Sequence, residues 1–196
     1  MLIAIFLLSF GIRLGTTDTD WLLAYDPYYQ YRHTADVVDD GMLSDWDELS
    51  YSPPGRPLIH PPFIYYLTGY LFILLNPILG MTLMSFCKYI AAVYGAIAVI
   101  PAYLLGKEFS NKKAGIIAAF FVGMSPAILT RTMGGFYDTD GLVIFFSLLT
   151  MYLLVRAFRK REIIDYVMAS IGLVLFGLTW TAAWYIPIIV FASFFI

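Results

Sequence analysis

Long apolar runs recur from one end of this 196-residue chain to the other, and they leave few folds open to it. Crossing a bilayer takes about 20 consecutive apolar residues in a helix, because every backbone polar group must be satisfied internally there. Hydrophobic residues make up 60% of the chain and charged residues 13%, where a soluble domain carries about 25% charged. The expected fold class is therefore all-α integral membrane: a polytopic transmembrane helix bundle of about six spans. Five stretches read as spans, namely Met1–Gly15, Met81–Gly106, Ala114–Thr130, Gly141–Val155 and Ile163–Trp180, and a sixth begins near Tyr185. No room remains for a separate soluble domain. The single Cys87 excludes an internal disulfide and a cysteine zinc site. There is no internal repeat and no basic stripe of the kind that binds nucleic acid.

Both ends look cut. Met1–Gly15 is short for a span and lacks the positive start and small-residue cleavage site of a signal peptide. Tyr185–Ile196 stops inside an apolar run, where terminal charges are costly. The chain is expected to be the N-terminal portion of a longer polytopic protein.

Charge sets the orientation. The turn 107–113 carries Lys107, Lys112 and Lys113 against Glu108, and the turn 156–162 carries Arg156, Arg159, Lys160 and Arg161 against Glu162. The positive-inside rule puts both turns in the cytoplasm. Two spans separate them, so the segment Thr130–Asp140 faces outside. Thr16–His60 is strongly acidic, with nine Asp or Glu residues against Arg32 and Arg56. It shares the outer face with Thr130–Asp140 only if Phe63–Leu79 lies along the interface rather than crossing. Breaks at Pro61, Pro62 and Pro77 and the cluster Tyr65, Tyr66, Tyr70 favour that interfacial reading. Residues 16–80 are then a first outer loop containing interfacial helices, and residues 131–140 a second. Most acids of the first loop, Asp47 among them, read as a solvated face. Arg13, Lys88 and Arg131 are the charges near span interiors. Lys88 is placed to snorkel outward or to meet an acid.

Two patches carry candidate chemistry. One runs from Ala24 to His33 and holds Asp26; the other runs from Thr130 to Gly141 and holds Arg131, Gly134-Gly135, Asp138 and Asp140. Asp138, Thr139 or Asp140 would serve simply as caps of the helix beginning at Gly141. Taken together, however, two carboxylates two residues apart at a helix start can present hard oxygen ligands to one divalent cation. Arg131 adds a planar charge suited to phosphate or carboxylate, and glycines let the backbone approach a ligand closely. If Asp26 joins them, three acids crowd one place and at least one pKa must rise unless a cation is present. That points to a metal or to a proton-sharing role, and spacing alone does not choose between them.

Asp26 in the first outer loop, followed by RTMGGFYDTDG from Arg131 to Gly141, resembles the catalytic subunit of oligosaccharyltransferase, of the archaeal AglB type and similar to the bacterial single-subunit enzyme. The resemblance covers essentially this whole chain but only the N-terminal membrane portion of the family protein. It implies transfer of an oligosaccharide from a polyisoprenoid (dolichyl) phosphate or diphosphate carrier to the Asn side-chain amide of an Asn-x-Ser/Thr sequon, in protein N-glycosylation. It further implies that Asp26, Asp138 and Asp140 hold a divalent cation, Mn2+ or Mg2+, with Asp26 touching the acceptor amide. Arg131 would order the site, and His60 would lie near the lipid phosphate. The partners implied are the lipid-linked oligosaccharide and an acceptor polypeptide. The location implied is the cell membrane, multi-pass, with the site on the extracellular face (lumenal in a eukaryote). Two family elements do not occur in these residues, a later outer-loop Glu motif and a WWD-type motif. The chain alone is therefore expected to lack sequon recognition and turnover.

Two other functions fit parts of the pattern. A protein O-mannosyltransferase-like enzyme also keeps an acid in the first outer loop, but the Arg131–Asp140 motif argues against it. A non-enzymatic channel or transporter with an acidic outer vestibule would be expected to carry acids at membrane depth.

Overall fold

The structure, a computed structural model, describes residues 1–192. Its α-helices are α1 (Leu2–Arg13), α2 (Tyr25–Asp40), α3 (Phe63–Leu79), α4 (Leu83–Ile97), α5 (Val99–Phe109), α6 (Lys112–Met124), α7 (Pro126–Thr132), α8 (Asp140–Lys160), α9 (Ile163–Thr179) and α10 (Tyr185–Ala192). The stretch expected as a sixth span starts with α10 and continues into residues outside those described. A two-stranded antiparallel ribbon, β1 (Trp46–Asp47) on β2 (Arg56–Pro57), interrupts the otherwise helical chain.

Among the described residues, two helices are long and apolar enough to cross a membrane. One is α4 and α5 together, continuous over the 27 residues Leu83–Phe109, and the other is α8 with 21 residues. Both outrun the expected spans Met81–Gly106 and Gly141–Val155 at their C-terminal ends. Lys107–Phe109 and Arg156–Lys160 stay helical after apolarity ends, because helix geometry continues wherever the backbone bonds are made. The expected span Ala114–Thr130 is a bent pair instead: α6 and α7 meet at 53°. Pro126 explains the bend. It has no N–H to donate, and its ring drives the residue before it out of the helical region; Ser125 accordingly has ψ 122°. Leu2–Thr16, Phe63–Leu79 and Ile163–Thr179 are shorter apolar helices.

Helix α2 differs from the rest in being polar. Pro27, Gln30, His33, Thr34 and Val37 are buried, a spacing of three and four that turns one face inward. Pro27 sits in the first turn, where backbone N–H groups have no intrahelical partner to lose. Gly41, at φ 78°, ends the helix. The buried face of α2 meets α3 through Val37, Ile64 and Tyr65. The same core continues through Tyr94, Tyr137, Leu142, Phe146 and Phe176 to Ile186. A smaller cluster of Ile5, Val99 and Ala119 joins α1, α5 and α6.

The two basic turns share one end of the bundle. The Arg159 guanidinium donates to the Glu108 backbone carbonyl and lies 3.3 Å from the Glu108 carboxylate, while Arg156 Nε is 2.6 Å from Asp165 Oδ1. Helix α8 rises about 31 Å over its length, roughly a hydrocarbon core, and carries Asp140 at its other end.

Lys88, Arg13 and Asp47 are buried charged residues, and only Asp47 departs from the sequence expectation. Lys88 pairs with no acid among the described residues; its ammonium reaches toward the first outer loop and donates to the Thr19 backbone carbonyl at 2.5 Å. Arg13 is fully buried in hydrogen bonds to Thr132, Ser9 and Gly123. Asp47, expected on a solvated face, is 3% exposed and bridges bidentately to Arg32 at 2.7 Å for each oxygen. The ribbon β1–β2 folds Asp47 back over α2, a contact that charge counting along the chain does not reveal.

Candidate active site

Helix α2 grips the second acidic motif at two consecutive residues. Thr34 Oγ1 lies 2.7 Å from the Tyr137 hydroxyl, and one turn earlier Gln30 Nε2 donates to Asp138 Oδ1 at 3.0 Å. One further turn toward the helix N-terminus stands Asp26. Residues i and i+4 share a helix face, so Asp26, Gln30 and Thr34 form a ladder. Tyr137 is fully buried at the head of that ladder. Asp26 also occupies the first turn of α2, where the positive end of the helix favours a carboxylate.

Asp138 is 9% exposed in its side chain. Its Oδ1 accepts from the Thr139 backbone N–H at 2.7 Å as well as from Gln30. Its Oδ2 lies 4.0 Å from Arg131 Nη2. Arg131 Nε donates to Asp140 Oδ2 at 2.9 Å, and the guanidinium sits 4.6 Å from the centre of the Phe136 ring. Arg131 thus spans both acids of the motif and is itself steadied by an aromatic face. The capping account holds in part at the start of α8: Thr139 takes the N-cap position and Asp140 the first turn, but no side chain makes a capping hydrogen bond there.

The two glycines serve the protein's own packing. Gly135 has φ +91°, a conformation L side chains rarely adopt. A Cβ on Gly134 would come within 2.4 Å of Thr17 Cγ2 and 2.9 Å of the Arg13 carbonyl oxygen. The loop is fastened to the segment after α1 by Gly134 N–H on the Arg13 carbonyl at 2.7 Å, Thr16 Oγ1 on the Gly134 carbonyl at 2.6 Å, and Leu23 N–H on the Gly135 carbonyl at 3.0 Å. The close backbone approach that these glycines allow is made here toward the segment after α1.

A cavity of about 360 Å³ opens beside this assembly. Asp26, Gln30, Asp138 and Thr139 line one part, Tyr29, Arg56, His60 and Pro61 another, and Thr179, Trp180 and Thr181 complete it. Of the sequence-expected site residues, Asp26, Asp138 and His60 face this space. Arg131 and Asp140 are not in its lining and join it through Asp138. Asp140 nevertheless feels the charges of Asp138, Arg131 and Asp26. His60 packs edge-on against Tyr29, with ring centres 5.3 Å apart.

Behind the cavity, Tyr29 continues edge-on into His33 at 4.5 Å. Burial and then the Arg32 charge push the His33 imidazole below its usual range. The Arg32 guanidinium, with the Ser50 hydroxyl and backbone N–H, holds the Asp47 carboxyl well below the usual carboxylate range, against its own burial.

Among the described residues, no three His, Cys, Asp or Glu side chains are gathered into one coordination sphere. The available donors are hard oxygens: Asp138 Oδ2, which has no short hydrogen bond to the protein, and the exposed carboxylate of Asp26. Such donors suit Mg2+ or Mn2+, so the residues fit a hard cation in kind. Gln30, Tyr29, Arg56 and the Thr179–Thr181 turn were not singled out from the sequence. Gln30 carried a usable signal, four residues after Asp26 on a polar helix. Arg56 and Thr179–Thr181 reach the cavity only through the tertiary fold.

Fold and cavity together define a helical membrane-protein module with its polar chemistry at one end of the bundle. The chain belongs to the family described as oligosaccharyl transferase STT3, N-terminal, whose profile matches residues 14–196. It is 32% identical over 161 residues to the dolichyl-diphosphooligosaccharide–protein glycosyltransferase subunit STT3B of Oryza sativa subsp. japonica, covering 78% of this chain and 22% of that protein. To dolichyl-phosphooligosaccharide-protein glycotransferase 3 of Archaeoglobus fulgidus it is 28% identical over 201 residues, covering 95% and 22%. Among solved structures, the Archaeoglobus fulgidus oligosaccharyltransferase in complex with Zn and sulfate matches with a TM-score of 0.87 at 27% identity, over 97% of this chain and 26% of that one. The oligosaccharyltransferase AglB of the same organism, in complex with an inhibitory peptide and a dolichol-phosphate, matches with a TM-score of 0.85 at 25% identity, over 97% and 25%. The chain thus spans about 22% of the length of the curated relatives it matches.

Proposed function

We propose that residues 1–196 are the N-terminal part of the transmembrane domain of an oligosaccharyltransferase. The parent protein transfers an oligosaccharide from a dolichyl-type phosphate or diphosphate to the Asn amide of an Asn-x-Ser/Thr sequon. Residues 16–80 form the first outer loop, with α2 and α3 along the interface, and residues 131–140 form the second. The enzyme is multi-pass in the cell membrane, and its site faces the extracellular side. The observation that carries this reading is one polar cavity lined by both Asp26 and Asp138, which come from distant parts of the chain. Support comes also from the relatives solved with a dolichol-phosphate and an inhibitory peptide, and with Zn and sulfate.

The chemistry follows from the residues. An amide nitrogen is a poor nucleophile, because its lone pair is delocalised into the carbonyl. Asp26, standing free at the cavity wall, accepts an N–H of the acceptor amide and orients the nitrogen toward the sugar. Asp26 and Asp138, with Asp140 beside them, would hold Mn2+ or Mg2+, which when bound would supply Lewis-acid neutralisation of the leaving phosphate. Arg131 keeps Asp138 and Asp140 aligned with each other. His60 offers its ring to the carrier phosphate from the far wall, next to Arg56.

The test is glycan transfer by the full-length protein to a sequon peptide with a lipid-linked oligosaccharide, with and without Mn2+. Transfer should require the cation and disappear in Asp138→Ala. Undiminished transfer in that variant removes Asp138 from the mechanism.

A further inference from the structure

We propose that Gln30 is a positioning residue of this site, fixing which oxygen of Asp138 is turned to the cavity. The inference rests on the reading of Asp138 as a site carboxylate. Gln30 is 7% exposed, in the wall of the cavity. Its Nε2 donates to Asp138 Oδ1 at 3.0 Å. Only this orientation of the amide is chemically allowed, since the reverse would set a carbonyl against a carboxylate, two acceptors. The Thr139 backbone N–H falls on the same oxygen at 2.7 Å, so the short bonds collect on Oδ1. Oδ2 is left to Arg131 at 4.0 Å and to whatever enters the cavity.

A second observation separates this role from space filling. Gln30 Oε1 is buried without a hydrogen-bond partner among the described residues. An unsatisfied buried carbonyl is unfavourable, and an apolar side chain of the same size would leave none. The distinctive contribution of the amide is therefore its bond to Asp138. Without it Asp138 loses its restraint on the α2 side, and only the Thr139 backbone N–H still holds Oδ1 at a short distance.

The experiment uses the full-length protein in detergent, with Gln30→Met, Gln30→Glu and Asp138→Ala. Mn2+ binding is read from the electron paramagnetic resonance of the free ion, and kcat from transfer to a sequon peptide. Gln30→Met should raise the Mn2+ Kd and lower kcat, each by more than threefold; changes of threefold or less in both overturn the proposal. Gln30→Glu gives an arm that needs neither metal nor activity. Beside Asp138 the new carboxyl has a raised folded-state pKa, so with chelator present its Tm should fall relative to wild type as pH rises through that pKa. A Tm profile parallel to wild type overturns the contact, including when Gln30→Met fails to fold. Mn2+ binding that is absent from wild type, or unchanged by Asp138→Ala, defeats the metal reading of the site alone; the Gln30→Glu arm then still decides the contact with Asp138, and an unchanged kcat in Gln30→Met overturns the positioning role.

Discussion

The hydroxyls of Thr34 and Tyr137 lie 2.7 Å apart with no solvent exposure on either residue, although 103 positions separate them in the chain. The Thr34 hydroxyl also donates to the Gln30 backbone carbonyl at 2.8 Å on its own helix. This contact docks the second acidic motif onto α2 directly beside Asp138. Tyr137→Phe keeps the ring and removes the bond, and should lower stability by about 1 kcal/mol. Tyr137→Ala also opens a cavity and should cost about 3–5 kcal/mol. Thermal unfolding in detergent separates the two, and a Tyr137→Phe variant as stable as wild type would mean that the hydroxyl contact contributes nothing.

Arg13 should matter for the bend between α6 and α7. Its guanidinium reaches Thr132 Oγ1 at 2.9 Å and the Gly123 carbonyl at 3.1 Å, one on either side of Pro126, from the end of α1. Arg13→Met should cost about 3 kcal/mol, the scale of two charge-assisted hydrogen bonds. Arg13→Lys should restore little, because an ammonium lacks the planar fork. Restoration of the wild-type Tm by lysine would show that charge alone suffices.

The motif glycines make a sharper prediction. Gly134→Ala sets a Cβ against the Thr17 methyl group and the Arg13 carbonyl oxygen, so the loop must shift and carry Arg131 and Asp138 with it. Transfer by the full-length protein should fall at least about tenfold, as small displacements of positioned groups do. Gly135→Ala should be destabilising by more than about 1 kcal/mol through its backbone alone. Wild-type activity and Tm in both variants would show that the loop tolerates another path.

Stability should decline in two stages as pH falls. The folded His33 pKa is lowered, chiefly by burial and then by Arg32, so the unfolded chain takes up the proton first. The His33 contribution is present above the unfolded value of about 6.5 and lost below it. The Asp47 pKa is also lowered, chiefly by Arg32. Its contribution is present above about 3.9 and lost as pH falls toward the folded value. Tm measured from pH 8 to pH 3 should fall first near the histidine range and again near the carboxylate range. His33→Gln should flatten the first stage and Asp47→Asn the second. A first stage unchanged in His33→Gln would assign it to another group.

Much of this protein is written in its sequence, because the information is local. Apolar runs mark the helices, basic turns mark one end of them, and Pro126 marks the break that a hydropathy count passed over. Asp26, Arg131, Asp138 and Asp140 were legible as candidate residues, since carboxylates and a planar cation beside glycines stand together at a helix start. What the sequence could not state is which groups meet. Asp47 reads as one acid among nine, yet the ribbon folds it onto Arg32 and removes it from water. Gly134-Gly135 reads as backbone free to approach a partner closely, and the fold seats the segment after α1 against it. Gln30 and Arg56 carry no signature alone and gain a place in the site from packing. The cavity itself belongs to no segment. Its walls come from α2, the loop before α3, the second acidic motif and the end of α9, and only burying their apolar faces in one core brings those polar ends together.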